Sequence, residues 1–423
     1  MFEARRNEGV HAGPAGQARV AVHVDARIKD NRALRERIEQ AIAPREGLML
    51  ADALDALPEV AAVFALYPEM DALEALARQV RDARARRGDG RPVLVVGLSP
   101  DRLTLFGGWL MRAAAAGEID GLRLIVDRDP NVLVSQLGDY LEAVHEPSVI
   151  AVPGAAQAQG AHERYFFCLS PAWQAAMSYV AELAENHVAR IGLLGEPGVG
   201  KSAMAYFYYL CRGRGEFIKL NLAAEVGGTP ALKALLCGEV TAAQSRTGAL
   251  AQARTGVCFI DAFQGRANGL ADVLDEALDS GEYLPLGAAA KQPLDCALVF
   301  AATPAAARPL PAMPAELPAR LAAQPVYLPS LRARGEDLIA IVAATLDTMR
   351  QRSTSWQAPA GLSHAAWQAL CNCPWRGNAR SLGRVMETAF ISAATARTPL
   401  IERDAIDSAL ALWEPESAAT PAT

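Results

Sequence analysis

Apolar and polar positions alternate along this chain with two different periods. Short, nearly uninterrupted apolar runs at 19–24, 60–66, 92–97 and 122–126 read as strands buried on both faces. Between and after them lie segments of helical period. In 31–43, Leu34, Ile38 and Ile42 share one face, and 70–86, 102–116 and 132–144 read as helices in the same way. This alternation predicts a small doubly wound parallel sheet over residues 18–147, while the polar, aperiodic stretch 1–17 predicts a flexible tail. Residues 148–164, rich in Ala, Gly and Gln, read as a linker. A second α/β region follows over 165–330. Strand signals then stop, and helices at 335–352, 363–371, 378–397 and 401–413 predict a smaller all-α subdomain over 331–413, with 414–423 as a disordered tail.

The bulk composition narrows the function classes. A chain of 423 residues has room for two or three domains, and 51% hydrophobic residues suffice for their cores. A net charge of -6 argues against a broadly basic nucleic-acid surface. No run of about 18 apolar residues offers a membrane span, and residues 1–16 lack the apolar core of a signal peptide, so a cytoplasmic protein is expected. The seven cysteines, all within 168–373, lack a paired metal-ligand spacing and read as buried thiols.

One motif carries specific chemistry. Gly195, Glu196, Pro197, Gly198, Val199, Gly200, Lys201 and Ser202 fit G-x-x-x-x-G-K-[ST], with the apolar run 190–194 before them and a helical stretch, 203–210, after. In such a loop, small residues let successive N–H groups face phosphates, the lysine reaches the outer phosphates, and the serine hydroxyl serves Mg²⁺. The run 256–261 ends in Asp261 at the carboxyl end of a strand, the place for a second Mg²⁺ ligand; the alternative is a carboxylate capping the next turn.

Over about 167–412 the chain resembles the AAA+ domain of the bacterial enhancer-binding proteins, the activators of sigma-54 RNA polymerase. The segments Leu169-Ser170-Pro171-Ala172-Trp173-Gln174, Phe217-Ile218-Lys219-Leu220-Asn221 and Leu235-Leu236-Cys237-Gly238 follow that family's order. So do 272–287, 328–338 and Trp375-Arg376-Gly377-Asn378-Ala379-Arg380-Ser381-Leu382. The resemblance implies ATP or ADP with Mg²⁺ as ligands and Ser202 and Asp261 as metal ligands. It further implies Asn221 as a switch residue sensing the γ-phosphate, Arg380 as a sensor arginine and Arg320 as an arginine finger in a ring of subunits. Each arginine has the alternative of a surface ion pair.

The departures from that family are equally specific. Where it carries Asp-Glu, this chain has Asp261-Ala262, so the carboxylate expected to polarise the attacking water is missing. Pro304 replaces the asparagine that ends the first sensor strand, and Pro314 occupies the first finger position. The loop 239–245 is short and lacks G-A-F-T-G-A, the polymerase-contact motif. No DNA-reading helix pair follows Trp413, so direct operator recognition is not expected. The resulting expectation is an ATP-binding regulatory AAA+ protein with degenerate hydrolysis machinery, acting in a homo- or hetero-oligomer with an AAA+ homologue or another regulatory protein, away from the membrane. An active ATPase in which Asp272, Asp275 or Glu276 stands in for the lost glutamate is the alternative.

The first domain resembles a response-regulator receiver in strand-helix order alone. Asp25 follows the first strand, but 65–68 ends the next with Tyr67-Pro68 and no phosphoryl-accepting aspartate. Ser99 and Arg128 read as loop residues or as relics of a receiver site, and Arg78, Arg81, Arg84, Arg86 and Arg87 as a solvated helix face or an anion site.

Overall fold

Val, Ile and Leu runs without polar interruption can pair only where both faces are covered, and the strands of this protein are placed that way. The computed structural model describes residues 20–24, 32–45, 47–51, 60–116, 119, 121–141, 148–152, 164–222, 228–242, 244–261, 267–303, 321, 324–353 and 357–415. Its contacts divide the chain into two units, 1–99 with 120–143 and 100–119 with 144–423.

The first unit is a five-stranded sheet. Its elements are β1 (Val20–Val24), α1 (Arg32–Ile42), β2 (Leu48–Ala51), β3 (Ala62–Leu66), α2 (Met70–Arg87) and β4 (Val93–Leu98). The helix α3 (Leu103–Ala115) comes next in the chain but clusters with the second unit, and β5 (Leu122–Val126) and α4 (Pro130–Leu141) complete the first. The strand order is β2-β1-β3-β4-β5, parallel throughout, the receiver-like doubly wound arrangement. All five residues of β3 are buried, as a central strand requires. Phe64, Val22, Val95, Ile125, Ile38 and Leu133 form the centre of this core.

The second unit contains β6 (Ser148–Val152), β7 (Arg164–Cys168), α5 (Pro171–Glu185), β8 (Arg190–Leu194), α6 (Lys201–Arg212), β9 (Phe217–Asn221), α7 (Thr229–Cys237), β10 (Gly238–Val240), β11 (Ser245–Thr247), α8 (Ala249–Ala253), β12 (Val257–Asp261) and α9 (Ala267–Ser280). After these come the small hairpin β13 (Glu282–Tyr283) and β14 (Gln292–Pro293), then β15 (Ala297–Ala302) and β16 (Gln324–Tyr327). The main sheet runs β16-β8-β15-β12-β9, again all parallel. Its two faces are covered separately. One core holds Trp173, Val180, Ile191, Leu193, Met204, Tyr208, Phe259 and Val299, and the other Leu194, Leu236, Leu250, Ile260, Leu274, Leu298 and Phe300. Beyond the sheet are the helices α10 (Gly335–Arg352), α11 (His364–Asn372), α12 (Asn378–Ala396) and α13 (Arg403–Trp413). They form the helical subdomain expected from the loss of strand signals.

Three boundaries differ from the sequence reading. Within the linker 148–164, β6 forms and pairs antiparallel with β7, from Ser148 opposite Cys168 to Val152 opposite Arg164. The helix α3, assigned by its place in the chain to the first domain, packs with the second unit: Thr104 Oγ1 donates to the Pro359 carbonyl at 2.9 Å, and Leu362 N donates to the Pro100 carbonyl at 3.0 Å. Glu414, placed in the C-terminal tail, is 4% exposed. The tail 1–17 lies outside the described residues.

Candidate functional site

A strand that ends in glycines before a helix leaves backbone N–H groups facing outward, and the junction of β8 and α6 is built so. Gly198 and Gly200 take φ of +72° and +120°, which residues with a Cβ rarely adopt. No side chain caps α6, so its first-turn N–H groups, including those of Lys201 and Ser202, have no intrahelical acceptor. Val199 is buried beneath the loop and anchors it to the core.

The charged groups converge on this turn. Lys201 Nζ donates to the carbonyls of Gly195 at 2.7 Å and Glu196 at 2.9 Å, and to Thr303 Oγ1, at the end of β15, at 3.4 Å. Burial pushes the Lys201 ammonium down to about 8; the Arg380 charge adds to the shift, while Asp261 and Glu196 oppose it. Those couplings place Asp261 and Arg380 within the electrostatic reach of Lys201. Asp261 and Asn221 are register partners at the ends of β12 and β9, on the carboxyl edge where ligands of parallel sheets bind. Ser202 Oγ accepts from Lys219 Nζ at 3.0 Å.

The helical subdomain closes over the loop from the other side. Asn378 is fully buried; its Nδ2 donates to Glu196 Oε2 and to the Pro197 carbonyl, both at 3.0 Å, and its Oδ1 accepts from Leu331 N at 2.7 Å. Arg332 Nη1 donates to Glu196 Oε2 at 2.9 Å, and Nη2 donates to Oε1. Although partial burial opposes it, these partners hold the Glu196 carboxyl below its ordinary range. A Cβ on Gly198 would collide with the Gly377 carbonyl and stand 2.9 Å from Arg380 Cβ, so the glycine is required for the approach. Arg380 itself is exposed beside the loop.

Beneath lies a buried keystone that the sequence reading did not single out. Asp337 accepts from Leu169 N at 2.6 Å, Ser170 N at 3.1 Å and Ser170 Oγ at 3.0 Å. Arg334, also buried, donates to it at 3.4 Å and to the Val199 carbonyl at 3.3 Å, with its guanidinium 3.9 Å from the Trp173 ring centroid. The signal was present in 169–174 and 328–338, but motifs whose contacting residues stand 168 positions apart show no contact until the chain folds.

The sequence-derived set divides cleanly. Gly195 to Ser202, Asp261 and Arg380 come together, with Asn221 at the register position beside Asp261. Ala262, Pro304, Pro314 and Arg320 lie outside the described residues. The short segment expected in place of a polymerase-contact loop is the β10-β11 hairpin, closed by Thr241 N donating to the Gln244 carbonyl at 2.8 Å. In the first unit, Tyr67 stands at the end of β3 and its hydroxyl donates to the Asp127 carbonyl at 3.2 Å; Asp25 is outside the described residues. Among the α2 arginines, Arg78 is exposed and pairs with Glu74 at 2.7 Å, whereas Arg84 and Arg87 are half-buried: Arg84 Nη1 donates to the Gly90 carbonyl, and Arg87 donates to the Val60 carbonyl at 2.9 Å and pairs with Asp89 at 2.7 Å. Among the described residues no cluster of His, Cys, Asp and Glu has metal-site form, and no helix is long and apolar enough to cross a membrane.

Comparison with known proteins agrees with this geometry. The chain is 30% identical to the transcriptional regulatory protein XylR of Pseudomonas putida over 234 residues, which are 52% of this chain and 40% of that protein. It is 29% identical to the Nif-specific regulatory protein of Herbaspirillum seropedicae over 226 residues, 52% of this chain and 41% of that one. The chain therefore spans less than half the length of these relatives. Among solved structures, NtrX from Brucella abortus shares the fold with a TM-score of 0.50 at 16% identity, covering 96% of this chain and 88% of that one. Residues 167–313 match the Sigma-54 interaction domain and residues 332–422 the AAA+ ATPase lid domain. Over these two stretches the chain carries a Sigma-54 interaction domain and an AAA+ ATPase lid domain, homologous to those of sigma-54-dependent regulators.

Proposed function

We propose that this protein is a regulatory AAA+ module that binds ATP or ADP, hydrolyses it poorly or not at all, and signals through assembly with a partner protein. The observation that carries the reading is the Lys201 ammonium: it is held among loop carbonyls beside the uncapped first turn of α6, within the field of Asp261 and Arg380. A polyphosphate is the ligand class that matches a ring of outward N–H groups, a lysine and an arginine. Ser202 and Asp261 would hold Mg²⁺, with Lys219 able to release Ser202 Oγ because its bond there is solvent-exposed. The metal supplies charge neutralisation at the outer phosphates.

Binding residues are thus retained while the hydrolytic ones are replaced. Alanine at 262 has no lone pair to accept a proton from water, and proline at 304 has no side-chain amide. Arg320 would serve a neighbouring subunit in a homo- or hetero-oligomer. In a mixed ring with an AAA+ homologue, this chain would contribute the arginine and leave catalysis to the partner.

The competing reading, an active ATPase with a substitute carboxylate, has one candidate already engaged: Glu276 is paired with Lys291 at 2.6 Å. Binding of ATP with Mg²⁺, measured by calorimetry alongside phosphate release, tests both. The proposal expects binding that Lys201→Ala abolishes and no Lys201-dependent phosphate release. Turnover lost in Lys201→Ala supports the ATPase instead, and absence of binding overturns both.

A further inference from the structure

Glycine begins α12. As the N-cap residue, Gly377 has no side chain with which to satisfy the first-turn N–H groups, although the turn it opens carries Arg380. A carboxylate 37 residues further along the chain holds the N-cap residue itself. α13 ends where Glu414 N donates to the Leu410 carbonyl at 2.7 Å, and the Glu414 side chain turns back onto α12. Its Oε1 accepts from Gly377 N at 2.8 Å and also from Ser381 Oγ. Residues 377 and 381 bracket Arg380, so a single carboxylate oxygen spans the turn from which the arginine projects. Glu414 is 4% exposed, and a carboxylate at a helix N-terminus is stabilised by the helix dipole.

The same turn meets the phosphate loop. The Gly377 carbonyl lies against Gly198, and Arg380 Cβ is packed beside it, while Asn378 holds Glu196 and Pro197. One peptide therefore connects the residue held by Glu414 with the residue that touches the loop. Any loosening of the Glu414 bonds to Gly377 and Ser381 releases the Arg380 backbone relative to Gly198. We propose that Glu414 is a positioning residue for Arg380, which fixes the arginine against a nucleoside triphosphate in the loop. The inference rests on the nucleotide-binding reading above and extends it to a residue outside the loop and sensor motifs.

The test is calorimetry of ATP with Mg²⁺ on the full chain, comparing wild type, Glu414→Ala, Glu414→Gln, Arg380→Ala and Glu414→Gln/Arg380→Ala. Glu414→Ala is expected to weaken ATP binding about fivefold, the size of one net hydrogen bond, and Glu414→Gln, which keeps an acceptor but not the charge, by less. The decisive comparison is in the Arg380→Ala background, where Glu414→Gln is expected to change affinity by less than about 1.5-fold because the group it positions is gone. If Glu414→Ala does not fold, the glutamine variant still decides. Wild-type affinity in Glu414→Gln, or an equal loss with and without Arg380, overturns the positioning role. A wild-type protein that binds no ATP overturns the underlying reading instead, so the two failures are distinct.

Discussion

Arg332 and Glu196 form a two-pronged ion pair that ties the start of the helical subdomain to the phosphate loop, and Asn378 donates to the same carboxylate at 3.0 Å. The two tethers differ in energy because they differ in solvent exposure. The side chains of Arg332 and Glu196 are 49% and 33% exposed, so screening leaves their pair worth about 0–1 kcal/mol. Asn378 is fully buried, and removing it leaves Leu331 N and the Pro197 carbonyl without their partner. Urea denaturation should therefore show Asn378→Ala losing about 2–3 kcal/mol and Arg332→Ala less than about 1 kcal/mol. Equal losses would mean that the loop is held by charge and not by the amide.

Lys201 is expected to make the proposed nucleotide binding a proton-linked event. Its ammonium sits at about 8 in the folded chain, against 10.5 for a free lysine. Between those values the unfolded chain binds more protons, so this group makes stability rise with pH across the window from about 8 to 10.5. Phosphate anions at the loop favour the charged form and draw the proton back. Calorimetry of ATP binding at about pH 8 in buffers of different ionisation enthalpy should report uptake of roughly half a proton, falling away toward about pH 6 where the Lys201 ammonium is already charged. Buffer-independent enthalpies in the wild type would contradict the assignment.

Strong local signals were legible in the sequence, and long-range partners were not. β8 spans 190–194 and α10 spans 335–352, as read from an apolar run and helical period, and β9 spans 217–221, a segment picked out by family resemblance. β2 was missed because four residues, Leu48–Ala51, are too short for a period to register. The phosphate loop announced itself through glycine and lysine spacing, whereas Glu414 looked like the first residue of a polar tail. Its role depends on holding the Gly377 N–H and the Ser381 hydroxyl from 37 and 33 residues away, a relationship visible only in three dimensions. Likewise, the helical period of α3 identified a helix but not which unit would bury it.

The Asp337-Arg334 pair should be unusually sensitive to losing one partner. Both side chains are at most 1% exposed, and Asp337 also receives two backbone N–H groups and the Ser170 hydroxyl. Removing only the negative charge strands a buried guanidinium, at a cost of about 3–5 kcal/mol for Asp337→Asn. Replacing both residues with apolar ones of similar size, as in Arg334→Met/Asp337→Leu, removes the stranded charge but also takes the carboxylate acceptor from Leu169 N and Ser170 N. The double variant is therefore expected to recover part of the loss and not all of it. Denaturant midpoints of the three proteins decide; a double variant less stable than Asp337→Asn would show the backbone bonds to outweigh the ion pair.

Glycine-to-alanine substitution should change sign between two helices of the same unit. At Gly107 in α3 a methyl group would overlap the Ala343 carbonyl oxygen of α10 and lie 3.1 Å from Asp347 Cβ. Backbone on a buried helix cannot yield as a side-chain tip does, so Gly107→Ala must push the two helices apart, with an expected loss of about 1–3 kcal/mol. At Gly383 in α12 nothing lies within 4 Å of the added carbon, and its φ is not in the left-handed region. There alanine only removes backbone freedom from the unfolded chain and fills a helix interior with a better helix former, so Gly383→Ala should gain about 0.5–1 kcal/mol. Urea unfolding followed by helical circular dichroism measures both. If Gly107→Ala were as stable as the wild type, α3 could not be packed on α10 at the separation described here, and its assignment to the second unit would fall.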